Sequence, residues 1–197
     1  MRKFCLTIIV LAGFSKALFA QFGNCTASEM QTYTDRETGN TITILTDTLK
    51  NDRFLYQTDP MWTHDGKYLL FRSSSRANDK KIERTLPNGE KRSWTPTQIY
   101  FIEMATGQII QATEGPDLGS AFLANKSNRM FISRKEKEDW NMYVMDLDKF
   151  FADVKKGKVG KPTAYETLLG TFPTSMGRPG GYAIDCNDDY AYITVER

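Results

Sequence analysis

A single histidine, His64, and three cysteines, Cys5, Cys25 and Cys186, bound the chemistry this chain can carry. One imidazole cannot build a multi-histidine metal site or work beside a second catalytic imidazole, and three thiols are too few for a disulfide scaffold. His64 stands next to an Asp65-Gly66 turn and reads as a solvent-facing turn residue. What remains is arginine. Arg72 and Arg134 each stand five residues after a basic residue, Lys67 and Arg129, at the ends of two similar apolar runs, and Arg53 precedes them with Tyr56 and Gln57 close by. A guanidinium presents a planar fork of donors that matches a carboxylate bidentately. Arginines in such places are also often solvated or paired with a neighbouring acid. Lys135-Glu136-Lys137-Glu138-Asp139 supplies acids beside Arg134.

The elements that position these residues begin after a separate leader. Met1-Arg2-Lys3 is a basic start, Phe4 to Phe14 is apolar apart from Thr7, and Ser15 to Ala20 leads into Gln21, which is the pattern of a secretory signal peptide over 1–20. The apolar run is short for a membrane span. The chain has 197 residues, with 26 basic and 24 acidic side chains and a net charge of +2. Three of the basic residues and no acids lie in the leader, which leaves 23 against 24, a net of −1. That balance gives no basic excess for a nucleic acid. Removing the leader also leaves Cys25 and Cys186, which can pair in an oxidising compartment or stay free. At 40% hydrophobic and 25% charged residues, the remainder has the composition of a folded domain.

Strand signals dominate that remainder. Runs rich in β-branched and aromatic residues recur at 41–45, 68–71, 98–103, 108–112, 130–133, 142–145 and 190–195, separated by turns such as Asp65-Gly66, Thr106-Gly107 and Asn187-Asp188. Only Asp146 to Val154 has helical spacing, with Leu147, Phe150, Phe151 and Val154 on one stripe. The runs also repeat in order. A polar turn opening a strand appears as Asp65-Gly66-Lys67-Tyr68-Leu69-Leu70-Phe71, as Ser127-Asn128-Arg129-Met130-Phe131-Ile132-Ser133 and as Asn187-Asp188-Asp189-Tyr190-Ala191-Tyr192-Ile193, at spacings of 62 and 60. A Thr-Gly turn opening a strand alternates with it, at Thr38-Gly39 and again at Thr106-Gly107.

A four-stranded unit repeated in order is a β-propeller blade of about 40–50 residues, and the surplus here sits in two polar insertions, 73–97 and 151–162. The expected class is therefore all-β, a partial β-propeller over 21–197. Rings have roughly four to eight blades and this chain supplies about three, which predicts N-terminal blades of a longer protein whose ring is not closed. The 190–195 strand is then an apolar edge prone to self-association.

The residues Thr32-Tyr33-Thr34-Asp35, Thr38-Gly39 and Ile42 to Thr46 are followed by Asn51-Asp52-Arg53-Phe54-Leu55-Tyr56-Gln57 and by Trp62-Thr63-His64-Asp65-Gly66-Lys67-Tyr68-Leu69-Leu70-Phe71. Together they resemble the opening of the oligogalacturonate lyases, seven-bladed propellers, and the Asp-Gly-Lys strand opener is similar to TolB-like propeller repeats. The resemblance is strongest over 31–75. It implies β-elimination on pectic oligosaccharides, with a base taking the proton beside a uronate carboxylate and a divalent, manganese-like cation stabilising the enolate. The family's metal ligands are mainly histidines of later blades, so the resemblance places no metal ligand and no catalytic residue on this chain.

What the resemblance implies for this portion is substrate contact. Arg53, Tyr56, Gln57, Arg72 and Arg134 form the expected binding set for an acidic oligosaccharide, an oligogalacturonide. Trp62, Trp94 and Trp140 offer indole faces on which a pyranose can stack, Trp62 being read as blade core. Two functions stay open: the N-terminal part of a secreted or periplasmic lyase, inactive by itself, or a non-catalytic TolB-like propeller that binds or scaffolds in the cell envelope.

Overall fold

The structure, a computed structural model, describes residues 22–76, 81–85, 88–115, 118–173, 175 and 178–196. The leader expected over 1–20 lies outside them. In chain order the strands are β1 (Cys25–Thr26), β2 (Gln31–Thr34), β3 (Thr41–Ile44), β4 (Asp52–Arg53), β5 (Tyr68–Ser73), β6 (Ile82–Thr85), β7 (Lys91–Trp94), β8 (Gln98–Glu103), β9 (Ile109–Gln111), β10 (Leu118–Leu123), β11 (Arg129–Glu136) and β12 (Asp139–Asp146). Helix α1 (Leu147–Lys155) follows, then β13 (Glu166–Pro173), β14 (Arg178–Ile184) and β15 (Ala191–Glu196).

The strands assemble as the blades of a partial propeller. The first blade is antiparallel in the order β4-β5-β8-β9, with β1 added outside β9. The second is the meander β10-β11-β12-β13, and β14-β15 begins the third. Two hairpins stand apart as two-stranded sheets, β2-β3 and β6-β7. The first blade is buried on both faces, which is why its strands read as continuous apolar runs. Leu70, Ile99, Phe101 and Ile110 join one core cluster, and Phe71, Tyr100, Ile102 and Ile109 form another.

The repeat seen in the sequence is visible as hydrogen bonds from turn to turn. Gly66, Asn128 and Asp188 are equivalent positions. The Asn128 Oδ1 accepts from the Asp65 amide at 3.2 Å. The Asp188 carboxylate accepts from the amides of Asn125 and Lys126 at 2.6 and 2.8 Å and from the Ser127 hydroxyl at 3.1 Å. Each turn thus reaches back to the one before it, and the blades are stitched at that end. His64 takes part through Nδ1, 2.9 Å from the Asn125 carbonyl, and is exposed as expected.

Three expectations change. The insertion read at 151–162 starts inside α1, where Leu147, Phe150, Phe151 and Val154 are all buried. Asp146 caps the helix by accepting from the Lys149 amide at 2.9 Å. Phe151 stacks on Tyr68 with ring centroids 3.6 Å apart and meets Phe101 edge-on at 5.1 Å, so this segment is core. The insertion at 73–97 carries the β6-β7 hairpin. Trp62 is 48% exposed rather than core, joined to the first blade by a single bridge to Leu69. Cys25 and Cys186 are both free and exposed. No helix among the described residues is long and apolar enough to cross a membrane.

Candidate functional site

The face of β5 and β8 that buries Leu70, Ile99 and Phe101 continues toward the inner edge of the blade. There Arg72 is the penultimate residue of β5, and β4 places Arg53 directly opposite it. Partners across an antiparallel pair share a face, so the two guanidinium groups rise from neighbouring positions where the apolar core gives way to an open cavity of about 570 Å³. The opposing wall is β10, the inner strand of the second blade, from Leu118 to Phe122. The cavity therefore lies between the inner edges of successive blades, where a propeller keeps its central channel.

Three of the five residues expected to bind substrate meet in this cavity: Arg53, Tyr56 and Arg72. Arg53 donates from Nε to the Asn51 Oδ1 at 3.2 Å. Neither arginine is ion-paired among the described residues. Asp59 also lines the wall, and burial raises its carboxyl above the usual range while the nearby Arg72 charge opposes that rise. Two cations against one carboxyl, with Asn51, Ser73, Ser74 and Ser120 around them, make a polar, net positive cleft with Leu55, Ile99 and Phe122 as its apolar floor. Gln57 is exposed on the same turn as Tyr56 and is not part of the lining.

Arg134 stands elsewhere. Its guanidinium is held by Glu166 through two bonds of 2.8 and 3.2 Å, with Glu136 at 3.6 Å and the Tyr143 ring beneath it at 5.3 Å. Burial disfavours its charge, but Glu166 more than offsets this and holds its pKa above the ordinary value. Its two terminal nitrogens are held in this ion pair, its buried Nε has no hydrogen-bond partner among the described residues, and it does not line the cavity. The equivalent position in the first blade, Arg72, has no such partner, so the repeat preserves the arginine while the surroundings divide its role.

Sequence reasoning missed the β10 wall. Leu-Gly-Ser-Ala-Phe-Leu has little β-propensity, and the strand is irregular, with a register shift between Leu118 and Ala121. Gly119 sits at that shift, where a Cβ would meet Trp140 and Ser133, and the Ser133 hydroxyl accepts from the Ser120 amide at 2.9 Å. Trp140 thus packs under the bulge and does not line the cleft. The divalent metal that the resemblance implies does not fit the described residues. No group of three or more His, Cys, Asp or Glu side chains among them can hold an ion, and the nearest thing to a charge cluster is already filled by arginine. In that cluster Arg76 bonds Glu29 and Asp52 bidentately, at 2.5–2.9 Å, with its side chain only 6% exposed.

A partial β-propeller with a polar, net positive cleft at the inner edge of its blades is the class these features define. Among solved structures, an oligogalacturonate lyase from Vibrio parahaemolyticus aligns over 84% of this chain with a TM-score of 0.57 and 20% identity. This likeness shows the propeller fold. The chain spans only 35% of that protein's length. A second oligogalacturonate lyase, solved in complex with manganese, aligns over 87% of this chain and 61% of its own at 15% identity and a TM-score of 0.42. No family model matches the chain, and no curated protein matches it significantly.

Proposed function

We propose that this chain forms the uronide-binding side of a propeller lyase that acts on pectic oligosaccharides by β-elimination. The observation that carries the reading is the arginine couple, Arg53 opposite Arg72, which has no ion-pair partner among the described residues and lines a cavity large enough for a small oligosaccharide. Each guanidinium can take one carboxylate of an acidic sugar bidentately, while Tyr56 and Asn51 offer hydrogen bonds to ring hydroxyls. Neutralising the carboxylate also makes the adjacent C–H more acidic, which is the bond β-elimination must break. The role of these residues is to bind and orient. The base and any cation belong to other parts of the protein in this reading, and the chain alone is inactive. Secreted or periplasmic placement belongs to the same proposal and rests on the pattern of 1–20. The N-terminal residue of the mature protein checks it.

Calorimetric titration with digalacturonate tests the binding role. Arg72→Ala should weaken binding by about 10–100-fold, the worth of a charged hydrogen-bonded pair, while binding of a neutral disaccharide is unchanged. Equal loss for both sugars would assign Arg72 a structural role and refute the reading. Turnover by these 197 residues alone, seen as rising ultraviolet absorbance of the unsaturated product, would overturn the assignment of catalysis to other parts of the protein.

A further inference from the structure

The two cations of the cleft do not stand alike. Arg53 enters from β4 with its Nε bonded to Asn51, whereas Arg72 enters from β5 with Asp59 near it on the same wall. The turn after β4 brings Asp59 there. Its amide donates to the Tyr56 carbonyl at 2.8 Å, which closes the turn, and both residues line the cavity. The Asp59 side chain is half-buried and feels the charge of Arg72, yet among the described residues it forms no ion pair. The charged and titratable side chains of the described lining are Arg53 on β4, Arg72 on β5, and Tyr56 and Asp59 on the segment between them; the β10 wall and the return at Thr97 add none. Of these residue types only a carboxyl changes charge on the acid side of neutrality. Asp59 therefore sets the charge of the cleft, which holds two cations against one anion while it is ionised and two cations alone once it is protonated.

An ionised carboxyl near Arg72 repels a ligand carboxylate that approaches that guanidinium, and leaves Arg53 as the more receptive of the two. We propose, resting on the uronide reading of the cavity, that Asp59 is a specificity-determining residue: it matches the cleft to one free carboxylate, held at Arg53, and admits a second at Arg72 only as it takes up a proton. At neutral pH the second carboxylate of an oligouronide then gains little, and a partly esterified oligouronide binds as well as a fully ionised one. As pH falls the fully ionised ligand is favoured. Burial holds the Asp59 carboxyl above its ordinary value, against the Tyr56 backbone and the Arg72 charge, which places its titration above that of a free sugar carboxylate.

Calorimetric titration of the full chain with digalacturonate, and with its singly methyl-esterified form, tests this. At neutral pH the wild type should bind the two within about threefold of each other. Asp59→Asn keeps the size of the side chain and removes its charge. It should bind digalacturonate about three- to tenfold more tightly than the wild type does, and the monoester within about twofold of it. A ligand anion beside the Asp59 carboxyl favours its protonated form, so titrations in two buffers of different ionisation enthalpy should show proton uptake when the wild type binds digalacturonate in mild acid, and none in Asp59→Asn. An equal gain for both ligands in the variant, a loss of digalacturonate affinity in it, or the absence of proton uptake in the wild type would overturn the role of Asp59 while leaving uronide binding in place. Failure of the wild type to bind either acidic ligand at any pH would instead bring down the uronide reading of the cavity, and this proposal with it.

Discussion

Replacing Asp188 by alanine tests whether the turn-to-turn stitching holds adjacent blades together. The side chain is only 1% exposed, and its carboxylate accepts two backbone amides and one hydroxyl from the preceding turn, at 2.6, 2.8 and 3.1 Å. Hydrogen bonds to a charged group contribute about 1.5–3 kcal/mol each, but Asn125 and Lys126 are exposed and their amides regain water when the carboxylate is removed. The expected loss is therefore about 2–4 kcal/mol in total. A backbone contribution adds to it: Asp188 has φ 65°, a left-handed conformation that aspartate tolerates better than alanine. Asp188→Gly should accordingly be less damaging than Asp188→Ala by about 1 kcal/mol. Urea unfolding followed by far-ultraviolet circular dichroism measures both differences. The acid limb supplies a second readout. Burial pushes the Asp188 carboxyl up, but the Asn125 and Lys126 amides outweigh it and hold the carboxyl below its ordinary value. A depressed carboxylate contributes stability above its unfolded pKa, near 4, and loses it as pH falls through the folded value. Asp188→Asn should flatten stability over that acid range. An alanine variant within about 0.5 kcal/mol of wild type would refute the stitching argument.

Two further substitutions probe the 151–162 segment and the Arg134 ion pair. Phe151→Ala removes a ring stacked on Tyr68 and edge-on to Phe101, and should destabilise by about 3–5 kcal/mol in the same unfolding assay; a loss below about 1 kcal/mol would restore 151–162 to the status of a peripheral loop. Glu166→Gln leaves the Arg134 guanidinium without its buried counter-charge, Glu166 being 2% exposed, and should cost about 3–5 kcal/mol with no change in digalacturonate affinity. Weakened sugar binding in a folded Glu166→Gln variant would instead return Arg134 to the binding site.

The division between Arg72 and Arg134 shows how far a repeat can be read. Their equivalence is a matter of spacing, and the structure keeps both at matching places in their strands. Their partners are set by distant chain. The acids beside Arg134 in sequence suggested a local pair, whereas its main partner, Glu166, arrives across the β11-β12-β13 meander from 32 residues away. Arg72 meets Arg53 instead, because β4 is the inner strand of its blade and brings a second cation to the same edge.

Local sequence was sufficient for whatever depends on neighbouring residues. The alternating turn and strand units, the 62- and 60-residue pitch and the amphipathic stripe of α1 all follow from periodicity and turn chemistry, and so does the all-β propeller class. Tertiary structure alone decided which arginines are spent in ion pairs and which face open space, since a guanidinium's partner can come from any strand that folding carries to it. It also decided that Leu118–Leu123, weak in β-propensity, becomes the inner strand that closes the cleft, because pairing with β11 supplies the order its own residues do not.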